Sequence, residues 1–173
     1  MIKKINLGCH TRIRPDYLNF DKDDYPGVDA IGSVEDLSRY ADNTFTEAYA
    51  SNILEHIPHV RTVATLKEWY RVLAPGGVLK ISVPDFDRAI EIYQRCGLAP
   101  WVVNFLWGDQ IYDGAEHRVC FNEPYLTRVL KEAGFSEVSR VERLVGNQPD
   151  ECSNLISNID GKLVCLNMVG VKW

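Results

Sequence analysis

The sequence predicts an α/β fold, a mostly parallel sheet with helices on both faces. Two patterns carry that reading. Short apolar or β-branched runs recur through the first half of the chain, and runs of helical periodicity fall between them. A third pattern is the end of the chain, where two alternating stretches read as an antiparallel strand pair at one edge of the sheet.

Residues 4–7 form the first strand, ended by Gly8, and residues 17–20 the second, halted at Asp21. Residues 28–31 are a weakly patterned third, and residues 46–50 a fourth that runs into Ser51. Residues 78–83 are the clearest strand, rich in β-branched side chains and closed by Pro84. In residues 62–73, Val63, Leu66, Trp69 or Tyr70, and Leu73 recur as one helical stripe, and Ala74-Pro75-Gly76-Gly77 then reads as a turn. Residues 87–95, carrying Ile90 and Tyr93, are a second helix. Residues 123–133, with Leu126, Val129 and Leu130 and a stop at Gly134, are a third. Residues 136–144 and 162–171 are the closing strand pair.

No linker, repeat or low-complexity segment divides the 173 residues, so one domain over 1–173 is expected. A chain of this size buries roughly 70% of its unfolded surface and needs no covalent staple. The net charge of -5 and the scattered Lys and Arg argue against an obligatory nucleic-acid partner. No apolar run approaches the ~20 residues of a membrane span. The segment after Lys3-Lys4 is too short for a signal peptide. Five cysteines (Cys9, Cys96, Cys120, Cys152, Cys165) are odd in number and contain no C-x-x-C pair, so free thiols in the cytoplasm are expected and a cysteine zinc site is not.

In a sheet of this kind ligands bind at the carboxyl ends of the strands. The loops there hold Gly8-Cys9-His10, Asp21, Asp36-Leu37, Ser51-Asn52, Glu55-His56 and Pro84-Asp85. A carboxylate can accept both hydroxyls of a ribose, a second can accept an adenine amine, and a glycine lets backbone approach a ligand. Asp21 and Asp36 could equally end a strand and cap a helix. A nucleophile elbow, a P-loop and a G-x-G-x-x-G turn are all absent.

Several blocks, in order, resemble class I S-adenosylmethionine-dependent methyltransferases. They are Asn6-Leu7-Gly8-Cys9, Tyr17-Leu18-Asn19-Phe20-Asp21, Asp36-Leu37, Asp42-Asn43-Thr44-Phe45 and Tyr49-Ala50-Ser51-Asn52-Ile53-Leu54-Glu55-His56. After these come residues 68–77, Ile81-Ser82-Val83-Pro84-Asp85, His117-Arg118, Phe121, residues 130–135 and residues 166–172. The likeness is greatest to a small bacterial branch associated with polysaccharide gene clusters. It implies a Rossmann-like fold and S-adenosylmethionine as cofactor. Carried over, Gly8, Cys9 and His10 would cradle the methionine part and Asp21 the ribose. Asp36 and Leu37 would frame the adenine, and Ser51 and Asn52 would border the sulfonium. The Gly76-Gly77 turn falls on the opposite rim and reads as structural. The chain departs from the family at His10, which stands where a second glycine is usual; His10 or Arg12 could instead meet the cofactor carboxylate.

The expected reaction is methyl transfer to a small or sugar-derived acceptor at oxygen, which needs a base. His56, Asp85 and His117 are the candidates, although His56 could pack or cap and Asp85 could cap the helix after it. The histidines lack metal-ligand spacing, so no metal is expected. Cys9 reads as a small buried residue. Residues 96–120, rich in aromatics and glycine, form a lid-like insertion, and Trp101 and Trp107 offer a homodimer face. The alternative is a non-catalytic module that keeps the fold and uses the altered first loop to bind something else.

Overall fold

The computed structural model describes residues 3–144, 157 and 160–173; Met1, Ile2 and Cys152 lie outside them. Its elements are β1 (Lys4–Leu7), β2 (Leu18–Asp21), β3 (Ala30–Ile31), β4 (Phe45–Ser51), α1 (His59–Val72), β5 (Leu73–Pro84), α2 (Phe86–Cys96), α3 (Pro100–Trp107), α4 (Glu123–Ala133), β6 (Glu137–Arg140) and β7 (Cys165–Val171). One sheet joins all seven strands in the order β3-β2-β1-β4-β5-β7-β6. The first five run parallel, and β7 is antiparallel to both β5 and β6. This is the expected α/β architecture with its closing antiparallel pair.

The central strands are apolar on both faces because helices and loops cover both. Ile5, Leu7, Ala48, Ala50, Leu79, Ile81 and Val83 are buried in one cluster with Leu66, Trp69 and Val72 of α1 and Leu126, Val129 and Leu130 of α4. Gly134 ends α4 in the left-handed conformation at φ 116, and its N–H returns to the carbonyls of the last turn.

Three local expectations change. The third strand shrinks to a two-residue pairing of Ala30 and Ile31 with β2. Ala74-Pro75-Gly76-Gly77 is not a free turn but a bulge within β5. Leu73 pairs with Phe45 and Val78 with Glu47, so β5 carries the surplus residues. Gly76 at φ 76 makes the bulge, and its N–H donates to the Lys172 carbonyl, tying the chain end to the sheet. The insertion at 96–120 contains a helix, α3, which packs Val102 against Ile92 of α2 and Cys165. Among the described residues no helix is long and apolar enough to cross a membrane.

Candidate active site

Strand order reverses beside β1, so the loops after β1 and β4 diverge and leave a crevice at their carboxyl ends. A cavity of about 570 Å³ opens there, a size suited to a cofactor with a small acceptor. Gly8, Cys9, His10, Asp21, Ser51 and Asn52 all line it. The sequence placed these six residues together, and the fold brings them together.

The first loop is built by buried polar contacts. The amide of Asn6 on β1 donates to Asn19 Oδ1 at 3.0 Å and to the Arg12 carbonyl at 3.0 Å, while Asn19 Oδ1 also accepts the Arg14 N–H. Gly8 turns the chain at φ 66, where an added Cβ would meet the Ile53 side chain at 2.7 Å. His10 also adopts positive φ, at 47. The Asp21 carboxylate holds it there, accepting the His10 N–H at 2.7 Å through one oxygen and the Asp23 N–H at 3.1 Å through the other. The imidazole leans on Tyr25, with ring centroids 4.3 Å apart, and the cavity remains open beside it. Burial and the neighbouring Asp21 charge push the Cys9 thiol up to about 12, so it is an inert filler.

Asp36 and Leu37, expected at the adenine, do not line this cavity. The Asp36 carboxylate is exposed and accepts the Ser38 N–H at 2.9 Å, while Leu37 is fully buried in the main core. The residues of that loop that reach the cavity are Ser33, Val34 and Glu35. Contacts from α1 set this register: the Trp69 indole donates to the Val34 carbonyl at 2.8 Å, and Glu68 accepts the Leu37 N–H at 3.0 Å. Arg71 donates to the Leu37 and Tyr40 carbonyls and pairs with Glu68 and Asp42. Side chains over 30 positions away therefore decide which residue faces the ligand.

Asp85 is not among the residues lining the cavity either. It caps α2, accepting the Asp87 N–H at 3.1 Å, and pairs with Arg140 at 3.0 Å, away from the cavity residues. Burial raises its carboxyl, and the Arg140 charge opposes that rise.

Of the two histidine candidates, His56 lines the cavity and His117 stands behind it, with ring centroids 4.9 Å apart and nearly perpendicular. The Nδ1 of His56 meets the Glu116 carbonyl at 3.1 Å, and that of His117 meets the Phe105 carbonyl at 3.1 Å. Burial lowers His56; burial and the neighbouring His56 take His117 down to about 4. Glu55 is buried beside them, and desolvation pushes its carboxyl up to about 8. The spacing in sequence suggested no metal-ligand set, yet the donor atoms of Glu55, His56 and His117 all lie within 4.8 Å of one another. A charged residue between Leu54 and Ile57, both buried, was the one local sign of Glu55.

The insertion contributes Asp109, Tyr112, Gly114 and Arg118 to the cavity wall, and Arg12 and Arg61 add positive charge. Sequence reading passed over Arg61 and the 33–35 turn, because nothing local marks them, and had Tyr112 only as one of the aromatics of the insertion.

Residues 10–81 match a family model described as a methyltransferase domain. No curated protein matches the sequence. Among solved structures, an S-adenosylmethionine-dependent methyltransferase from Archaeoglobus fulgidus is similar over 98% of this chain and 85% of its own, at TM-score 0.64 and 13% identity. One from Thermotoga maritima is similar over 99% and 82%, at TM-score 0.61 and 20% identity. The 1,6-didemethyltoxoflavin-N1-methyltransferase of Burkholderia thailandensis, solved with 1,6-didemethyltoxoflavin and S-adenosylhomocysteine, is similar over 98% and 70%, at TM-score 0.60 and 16% identity. The domain match spans 72 of the 173 residues, and these solved structures, at 20% identity or less, share the fold.

Proposed function

We propose that this chain moves a methyl group from S-adenosylmethionine to a hydroxyl of a small or sugar-derived acceptor. In this reading residues 1–173 act as one methyltransferase unit, with the 96–120 insertion as its lid. The single observation that carries it is the cavity of about 570 Å³ that has Gly8 and Asp21 on one wall and His56 on another.

The residues present fit the cofactor. Gly8 lets the backbone approach a ligand without a side chain in the way. Each Asp21 oxygen accepts one backbone N–H and keeps lone pairs for ribose hydroxyls. Val34 and its neighbours Ser33 and Glu35 supply an apolar and polar border for the adenine, in the place expected of Asp36 and Leu37. Arg12 offers a cation to the cofactor carboxylate, and Ser51 and Asn52 border the sulfonium end. When bound, S-adenosylmethionine supplies a methyl carbon made electrophilic by a cationic sulfur.

His56 provides the proton acceptor. Its Nδ1 sits on the Glu116 carbonyl, which can only accept, so Nδ1 carries the hydrogen and Nε2 a lone pair. Nε2 would take the proton of an acceptor hydroxyl held beside it, while the cofactor, held by Gly8, Arg12 and Asp21, would supply the methyl group and leave as the neutral thioether. His117 positions His56 from behind. The Tyr25 and Tyr112 rings at the cavity suit a sugar face, in keeping with the resemblance to the polysaccharide-linked branch. The free thiols of Cys9, Cys96 and Cys120 are in keeping with a cytoplasmic placement. The exposed Trp101 and Trp107 supply a face for a second copy.

The test is product mass spectrometry with S-adenosylmethionine and a panel of hydroxylated small molecules and sugars. A methylated acceptor is expected, and H56Q should lower kcat about 100-fold while S-adenosylhomocysteine still binds. An H56Q enzyme as fast as wild type, or methylation confined to nitrogen acceptors, would remove the reading.

A further inference from the structure

We propose that Glu55, His56 and His117 form a divalent-cation site of the zinc class in the wall of the cavity. Three independent features meet there. Glu55 is 1% exposed, and neither of its carboxylate oxygens has a hydrogen-bond partner among the described residues. A buried carboxylate left in that state carries a desolvation cost that only a proton or a cation relieves.

The second feature is the state of the two imidazoles. Each rests its Nδ1 on a backbone carbonyl, Glu116 for His56 and Phe105 for His117, both at 3.1 Å. Carbonyls accept, so in the neutral rings both Nδ1 atoms carry hydrogen and both Nε2 atoms a lone pair, with the Gly114 carbonyl also beside His56 and the Leu106 carbonyl beside His117. Orientation of a ligating imidazole through its other ring nitrogen is the usual outer-shell device of metal sites.

The third is convergence. The donor atoms of all three groups lie within 4.8 Å of one another. Zinc bonds of 2.0–2.2 Å would hold tetrahedral ligands about 3.4 Å apart, so a pair at the 4.8 Å limit would close by about 1.4 Å on binding. Two neutral imidazoles and one carboxylate suit Zn²⁺ or Co²⁺ and leave a coordination position open. His117 belongs to the insertion and Glu55-His56 to the turn after β4, so the ion would also fasten the lid to the sheet.

The catalytic consequence rests on the methyltransferase reading; the site itself does not. His56 borders the cavity, so an acceptor oxygen could occupy the open position. The His56 lone pair is then engaged by the ion, and the ion takes over the task of acidifying the hydroxyl, whose proton leaves to solvent. The cofactor would supply the methyl group as before.

The experiment is a Co²⁺ titration of the full chain after EDTA treatment and dialysis, read by visible absorption, with Zn²⁺ competition by calorimetry. One equivalent should bind with the intense bands of low-coordinate cobalt, and Zn²⁺ should displace it. E55Q and H117Q should each weaken binding at least 10–100-fold, the loss that even an outer-shell partner causes. A wild-type protein that takes up neither ion at 100-fold excess overturns the site, leaving Glu55 as a neutral acid. Unchanged binding in both variants overturns it too. S-adenosylhomocysteine titrated into the same samples separates the two readings: cofactor binding without cobalt removes the metal site alone, and cobalt binding without cofactor removes the methyltransferase reading alone.

Discussion

Removing the Asp21 carboxylate is the perturbation that reaches furthest into this site. In the free protein it accepts two backbone N–H groups, from His10 at 2.7 Å and Asp23 at 3.1 Å. With cofactor bound it would also accept the ribose hydroxyls. Hydrogen bonds to a charged group contribute about 1.5–3 kcal/mol each, so losing two ribose contacts costs at least about 3 kcal/mol, roughly 150-fold in affinity. D21A also slackens the His10 turn and should lower the unliganded Tm, so the quantity to follow is the ligand-induced shift. At a hundred times its dissociation constant, S-adenosylhomocysteine stabilises a protein by ~2.7 kcal/mol. That shift should be present in wild type and nearly gone in D21A at the same concentration. D21N, which keeps an oxygen for the His10 N–H, should fall between them, at about a tenfold loss. Calorimetry giving D21A a Kd within about threefold of wild type, on a folded sample, would refute the ribose assignment.

Other consequences are simpler to measure. G8A places a Cβ 2.7 Å from the Ile53 side chain at φ 66, and should cost about 1–3 kcal/mol in urea unfolding; I53A in the same background should recover part of it. Arg71 bonds the Leu37 and Tyr40 carbonyls and pairs with Glu68 and Asp42. R71M should lower stability by about 2 kcal/mol and weaken S-adenosylhomocysteine binding as the 33–35 turn slips. Iodoacetamide at pH 8 should label exposed Cys96 and Cys120 well before Cys9, whose thiol is buried and pushed up to about 12; early labelling of Cys9 would contradict its packing. Burial acts to raise the Glu47 carboxyl, but bonds from Tyr17 and Lys80 outweigh it and hold the group below its ordinary range. Its contribution to stability is present above the unfolded carboxylate range and is lost as pH falls through the lowered folded value. The acid limb of Tm against pH should therefore be flatter in E47Q than in wild type.

The α/β architecture was legible because its signals are local. β1, β2, β4 and the second half of β5 each announce themselves by apolar runs and stops, and α1 and α4 by one apolar stripe each. Gly8, Asp21, Ser51 and Asn52 followed directly, since a strand end fixes where its next residue goes. What misled was any feature set by a distant partner. Gly76 and Gly77 have the composition of a turn, and only the strand end at Lys172 holds them in the sheet. Asp36 has the chemistry for adenine, yet the Trp69 indole and Glu68 carboxylate seat the loop so that Ser33, Val34 and Glu35 face the cavity.

The sequence alone therefore determined the order of strands and helices and the rim on which chemistry would sit, because periodicity and chain stops act between near neighbours. Tertiary structure alone decided which side of a loop faces inward, and that Glu55, His56 and His117 meet. Contacts between residues some 60 positions apart depend on how whole elements pack, and no local pattern records that.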